Sequence, residues 1–353
     1  MELEKILQQA VEQGASDIFL VAGLPITFKC GGRQERLGDD FLMPDAIGRM
    51  IDQIYELGKR EKTKIERRED DDFSLSISRL GRFRVNIFRQ RGSLSAVIRV
   101  IRFGLPDPEK LGIPQEVLSL AESKKGLVLI TGSVGTGKST TLACMIDQIN
   151  RTRDCHIITM EDPIEYIHRH ARAIVTQREI SIDTPGYLSA LRSALRESPD
   201  VILLGEMRDY DTMSAAITAA ETGILMFSTL HTSSAANTIN RILDVFPVNQ
   251  QHQVKIQLAQ ILNGVVCQQL VPSVDGSQIP VFEILKATNA VRNMIREDKL
   301  HQLDSAMQAG AGEGMCTMDG SLLSLYRQGK ITKETALLSC LHYEAMVKRL
   351  GSA

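Results

Sequence analysis

The sequence predicts an α/β protein in two parts: a small α/β module, then a larger nucleotide-binding domain built on a mostly parallel sheet. Three observations carry this. Gly132-Ser133-Val134-Gly135-Thr136-Gly137-Lys138-Ser139 fits G-x-x-x-x-G-K-[ST]. A β-branched run (Leu127–Thr131) precedes it and a periodic apolar stretch (Leu142, Ala143, Met145, Ile146, Ile149) follows, the strand–loop–helix setting that a phosphate-binding loop requires. From Pro114 onward, strand-like runs alternate with helical ones, the pattern of a parallel sheet covered by helices. Between the two parts, residues 103–114 (FGLPDPEKLGIP) carry three prolines and two glycines, which read as a linker.

The first module spans residues 1–102. Leu3, Ile6, Leu7, Ala10 and Val11 recur at helical spacing, and Gly14 stops the helix. Ile18–Val21 and Ile26–Cys30 read as strands around Gly23-Leu24-Pro25, and Gly31-Gly32 turns the chain again. Pro44–Leu57 reads as a helix. The charged run Lys59–Asp72 is either a docking surface or a solvated helix and turn. Phe73–Ile77 and Gly81–Ile101 alternate as hairpin strands do, with Gly81 and Gly92 at the turns.

After the linker (103–113) comes the nucleotide-binding core, 114–285. Its expected strands are Leu127–Thr131, Cys155–Met160, Ala173–Thr176, Val201–Leu204 and Leu225–Leu230. After Phe282 the pattern turns helical through Met294, Leu303, Met307, Leu322, Leu325 and Leu337, which makes 286–353 a C-terminal helical region.

Composition narrows the function classes. A chain of 353 residues, 43% hydrophobic and 24% charged, is ordinary for a globular protein of two domains. A net charge of −2, no tryptophan and no basic stripe with interleaved aromatics argue against nucleic acid as a partner. Cysteines 30, 144, 155, 267, 316 and 340 are scattered without a C-x-x-C, which fits reduced thiols in a cytoplasmic protein and not a zinc module. The N-terminus lacks the basic start and apolar stretch of a signal peptide, and no run approaches the roughly 18 apolar residues of a membrane span. Any membrane association is therefore expected through a partner.

The chemistry expected at the loop is direct. Glycines let the backbone wrap close to phosphates, and N–H groups at a helix N-terminus point at the anion. Residues Gly132 through Thr140 form the candidate nucleotide cradle, with Lys138 reaching the β- and γ-phosphates and Ser139 holding Mg²⁺. Two acidic clusters sit at expected strand ends, where open α/β sheets place their ligands. Glu206 ends Asp200-Val-Ile-Leu-Leu-Gly-Glu206, a Walker-B-like strand with glycine where most such ATPases have aspartate; it is a second candidate for the metal. Glu161 opens Glu161-Asp162-Pro163-Ile164-Glu165; Asp162 and Glu165 read as supporting carboxylates or as a turn. His231, after Leu225–Leu230, could sense the γ-phosphate or hydrogen-bond the catalytic carboxylate. Arg82, Arg84, Arg91, Arg99 and Arg102 are either exposed strand arginines or a source of positive charge supplied in trans to a γ-phosphate.

Several motifs together resemble the type IV pilus retraction ATPases (the PilT family), within the larger group of secretion and pilus motor ATPases. The likeness covers almost the whole chain: Gly14-Ala-Ser-Asp17, Gly23-Leu-Pro25, Arg82-Phe-Arg-Val-Asn86, the phosphate loop, Thr159-Met-Glu-Asp-Pro-Ile-Glu165, Gln177-Arg-Glu179, Ala190–Arg196, Gly205-Glu-Met-Arg-Asp209 and Thr229-Leu-His-Thr232. Ala290-Val-Arg-Asn-Met-Ile-Arg-Glu297 is similar to the C-terminal signature of the retraction subfamily. The resemblance implies a PAS-like first domain, a RecA-like second one and a homohexameric ring. In such a ring, Glu161 would polarise the attacking water, Glu206 would assist at the metal, and His231 would link the nucleotide to neighbouring elements. Arg84 and Arg99 would be the candidate trans arginines. It also implies ATP and Mg²⁺ as cofactors, an inner-membrane pilus platform protein as partner, and a place at the inner face of the cytoplasmic membrane. The chain departs from the family at Ile224, where a histidine usually follows Thr222-Gly223, at Ile18-Phe19-Leu20, and at Ser133-Val134 in place of Pro-Thr. The expected function is pilus retraction driven by ATP hydrolysis. The alternatives are an extension or secretion ATPase, or a weakly hydrolysing accessory subunit.

Overall fold

The structure, a computed structural model, describes residues 3–78, 80–101 and 104–351. Arg102 and Phe103, at the start of the expected linker, lie outside the described residues. The chain divides into two compact units, Met1–Gly104 and Leu105–Ala353.

The N-terminal unit contains α1 (Leu3–Glu12), β1 (Asp17–Leu20), β2 (Thr27–Cys30), β3 (Arg33–Arg36), α2 (Pro44–Gly58), α3 (Thr63–Glu66), β4 (Asp71–Ile77), β5 (Gly81–Gln90) and β6 (Ser93–Ile101). The strands form one antiparallel sheet in the order β3-β2-β1-β6-β5-β4. Two of its hairpins close on two-residue turns, Gly31-Gly32 and Arg91-Gly92, with positive φ at both positions. This is the turn geometry whose twist matches the flanking strands, and it fixes the register. Alternation along β5 sends Phe83, Val85 and Ile87 inward against Ile18, Ile98 and the buried stripes of α1 and α2. The charged run after α2 is only partly solvated. Asp71 is buried and accepts from the Tyr55 hydroxyl (3.1 Å), with Arg60 and Lys64 at 3.4 and 3.5 Å.

The larger unit continues with α4 (Gln115–Leu118), β7 (Gly126–Thr131), α5 (Lys138–Thr152), β8 (His156–Glu161), β9 (Ile174–Glu179), α6 (Tyr187–Ala194), β10 (Val201–Leu204), α7 (Tyr210–Glu221), β11 (Leu225–Leu230), α8 (Ala235–Val245), α9 (Val248–Ile261), β12 (Leu262–Pro272) and β13 (Gln278–Lys286). It closes with α10 (Asn289–Arg296), α11 (Leu303–Ala309), α12 (Met318–Arg327), α13 (Lys333–Ser339) and α14 (Tyr343–Gly351). The sheet order is β13-β12-β7-β11-β10-β8-β9, parallel except for β13. The central strands β7, β10 and β11 are buried on both faces and largely apolar, so successive residues enter different cores. Leu127 and Leu129 face α6–α10 and the later helices, while Val128 and Ile130 face α4 and α5.

One expectation is corrected here. The pattern after Phe282 does not turn helical at once; β13 runs to Lys286, paired antiparallel to β12. Neither strand of this hairpin was expected as such. Helix α9 passes directly into β12 between Ile261 and Leu262, and Asn263-Gly264, a pair that ordinarily marks a turn, lies inside the strand, so the boundary carries no punctuation where it falls.

Buried Glu283 on β13 ties this hairpin to the helices. Its carboxylate accepts from the backbone N–H of Ala235, at the start of α8 (2.7 Å), and of Met318, at the start of α12 (3.1 Å). Negative charge at two helix N-termini is favourable, and it satisfies donors that helices leave unpaired. Glu283→Ala should therefore destabilise the larger unit by about 3 kcal/mol, since two buried N–H groups lose their acceptor. Denaturant melts of the full chain check this; a loss under about 0.5 kcal/mol would deny the tie its structural weight.

Candidate functional site

Four elements end at one place. The loop after β7, Glu161 at the end of β8, Glu206 two residues past β10 and His231 one residue past β11 all lie at the carboxyl ends of adjacent parallel strands. Open α/β sheets present their ligand sites there. Lys138, Ser139, Thr140, Glu161, Glu206 and His231 line one cavity of about 440 Å³.

The loop itself is wedged against β12. Gly132 has φ +144, and a Cβ there would come within 2.2 Å of the Gln268 carbonyl oxygen. Gly137, at φ +87, sits just before the first turn of α5, and a Cβ there would reach 3.0 Å from Gln268 Nε2. The Gln268 side chain is buried, and its Oε1 accepts from Thr141 in α5 (2.8 Å). Only glycine fits at both ends of the loop. The Lys138 ammonium, buried, donates to the carbonyls of Gly132 (2.8 Å) and Ser133 (2.7 Å). Burial pushes its pKa down, and Glu165 and Glu206 push it back up. Thr136 closes the loop onto the Ser133 carbonyl at 2.9 Å, and the Thr140 hydroxyl lies 2.9 Å from the Tyr166 hydroxyl.

Glu161 is held by its own strand and by β9. Thr159, two residues earlier and so on the same face, donates to Oε1 (2.6 Å), as does Gln177 Nε2 (3.2 Å). Gln177 also donates to the Tyr166 carbonyl (2.9 Å), and Glu179 accepts from the Ile164 backbone N–H (3.0 Å). These bonds fix the Asp162–Tyr166 segment over the cavity. Burial, reinforced by Glu165 and Glu179, raises the Glu161 pKa to about 7 despite the bonds from Thr159 and Gln177. Glu206 Oε2 pairs with Arg208 Nε (2.6 Å) and lies 3.7 Å from His231 Nε2. The adjacent Gly205 has no room for a side chain, as a Cβ would meet the Tyr187 hydroxyl at 2.9 Å and the Met160 carbonyl at 3.0 Å.

The structure thus brings the expected loop, both glutamates and the histidine together. Arg84 and Arg99 belong to the N-terminal unit, opposite one another on β5 and β6. Each has a carboxylate of its own unit: Arg84 grips Asp72 with two bonds (3.0 and 2.6 Å), and Arg99 bonds Asp17 (3.1 Å). Ile224, the departure from the family pattern, is a buried core residue at the opposite end of β11, where its carbonyl accepts from Gly126. The six residues of β11 separate it from His231, roughly 20 Å of strand. Sequence reasoning missed Tyr187, Arg208, His168 and Gln268. His168 lines the cavity, and its Nδ1 is buried without a partner among the described residues. Burial lowers its pKa to about 4, so the ring is neutral.

Comparison with known proteins gives the family. The family model described as type II/IV secretion system protein matches residues 1–316. The type IV pilus retraction ATPase PilT of Pseudomonas aeruginosa is 43% identical over 336 residues, 95% of this chain and 97% of that one. A twitching motility protein of Neisseria gonorrhoeae is 41% identical over 97% of this chain and 91% of its own length. The crystal structure of the pilus retraction motor PilT with bound ADP superposes with a TM-score of 0.90 at 44% identity, over 99% of both chains.

A carboxyl pushed up to about 7 suits proton transfer at neutral pH, the role expected of Glu161. Its ionised form, the one able to take a proton, is lost as pH falls through that value. The kcat/KM for nucleotide hydrolysis, which reports the free enzyme, should fall about tenfold per pH unit below about 7. Glu161→Gln should cost at least a hundredfold and flatten the profile. A wild-type profile already flat from pH 5 to 8 would remove the base from this position.

Proposed function

Since the chain belongs to the type II/IV secretion system protein family, among the pilus retraction ATPases, we propose that it is a homohexameric motor coupling ATP hydrolysis to type IV pilus retraction. It is a P-loop ATPase, and the observation that carries the reading is the convergence of Lys138, Ser139, Glu161 and Glu206 on one cavity.

The residues divide the work by position. Lys138 and the loop N–H groups take the phosphates. Ser139 and Glu206 would hold Mg²⁺, and the hard oxygens of this cavity suit it. Among the described residues, no group of three or more His, Cys, Asp or Glu forms a metal cage of its own. When bound, the cation would share the phosphate oxygens and neutralise their negative charge. Glu161 orients the attacking water and accepts its proton. His231, beside Glu206, links the cavity to the start of α8. On the other flank of the loop, a cavity of about 620 Å³ lined by Leu111, Ile113, Thr140, Leu270, Ile279 and Pro280 offers apolar walls for the base. In the ring, Arg84 and Arg99 of one subunit serve the nucleotide of its neighbour, exchanging Asp72 and Asp17 for phosphate.

Work comes from differential affinity: a closed subunit interface favoured by ATP opens after hydrolysis and release. In this reading the force reaches the pilus through an inner-membrane platform protein; no helix among the described residues is long and apolar enough to cross a membrane. The weakly hydrolysing accessory reading rested on Ile224, which lies at the far end of its strand from the cavity.

Lys138→Ala should abolish phosphate release while leaving the melting profile intact. A knockout strain should carry excess, non-retracting pili. Absent pili would favour an extension motor instead, and negligible multiple-turnover hydrolysis by the wild-type protein would favour the accessory subunit.

A further inference from the structure

Tyr187 has no part in the chemistry described so far, yet it stands inside the cavity. It is the first residue of α6, half-buried, and lines the space shared with Glu161, Asp162, Glu206 and Arg208. Its ring lies across Gly205, so a Cβ at that position would meet the hydroxyl at 2.9 Å and a ring carbon at 3.4 Å. Gly205 directly precedes Glu206, at the place where a Walker-B strand ordinarily carries its aspartate. The aspartate is missing, and the space its side chain would enter is filled by a phenol. A phenol keeps its proton at neutral pH. The group is therefore a hydrogen-bond donor in a cavity it shares with carboxylates.

We propose that Tyr187 is a positioning residue for hydrolysis, its hydroxyl taking the place of the Walker-B aspartate and donating into the cleft between Glu161 and Glu206. The donor orders the acidic side chains and the water beside them; it does not bind phosphate. This rests on the hydrolytic reading of the cavity.

The test is Tyr187→Phe, which keeps the ring and removes only the hydroxyl. In the full chain kcat should fall about tenfold, the worth of one hydrogen bond to a charged partner, with KM changed less than twofold. Affinity for a fluorescent ADP analogue, titrated without divalent cation, should stay within twofold of wild type. Unchanged kcat overturns the proposal. So does an equal loss of turnover and of analogue affinity, because the ring would then merely shape the pocket. Tyr187→Leu, lacking ring and hydroxyl, should turn over no faster than Tyr187→Phe; faster turnover also overturns it. Negligible multiple-turnover hydrolysis by the wild-type protein would instead remove the hydrolytic reading itself, whatever Tyr187→Phe does.

Discussion

The start of helix α5 is pressed into the carboxyl edge of the sheet, and the rest of the site is built around that contact. Gly132 and Gly137 let the loop approach β12 so closely that Gln268 touches both of its ends, one through the backbone carbonyl and one through the side-chain amide. The bond from Thr141 then locks Gln268 to the helix that the loop begins. A loop wedged in this way is held in place by the protein's own contacts. Ordering a loop only when a ligand arrives costs about 1–2 kcal/mol for each residue fixed.

Around this fixed loop, charge is arranged by strand order. Strands β8, β10 and β11 bring Glu161, Glu206 and His231 to the same edge because they run parallel and in register. Their environments differ. Glu161 is wrapped by Thr159, Gln177 and buried surroundings, whereas Glu206 has Arg208 against it. Two carboxylates at one edge thus sit in different surroundings, one desolvated and hydrogen-bonded, the other paired with a guanidinium. Ile224 shows the complementary point. A residue at the far end of β11 changes the lower rim of the sheet while the chemistry sits at the upper one.

Much of this was legible in the sequence, for physical reasons that also explain what was not. The loop and the apolar runs of β7, β8, β10 and β11 announce themselves because central strands buried on both faces are mostly hydrophobic. Glu161 and Glu206 follow, since each is a carboxylate just past such a run. The β12–β13 hairpin was hidden by the seamless passage from Ile261 to Leu262, where tertiary pairing with β7 decides the conformation. Gln268 was invisible for the same reason. Tyr187 was missed because an aromatic at the start of an amphipathic helix reads as core; only the contact with Gly205, 18 positions away, reveals it. The pairing of Arg84 with Asp72 and of Arg99 with Asp17 depends on strand neighbours far apart in sequence.

The Lys138 ammonium, finally, already has two carbonyl acceptors in its own loop. If Lys138 takes the phosphates as proposed, nucleotide entry is a swap: the lysine trades neutral oxygens for charged ones, and each phosphate bond gained is offset by a carbonyl bond given up, of order 1.5–3 kcal/mol apiece. The same swap run backwards helps spent nucleotide leave, because the lysine has somewhere to return. A machine that must empty its pocket on every stroke gains cycling speed from a grip that is good but not maximal.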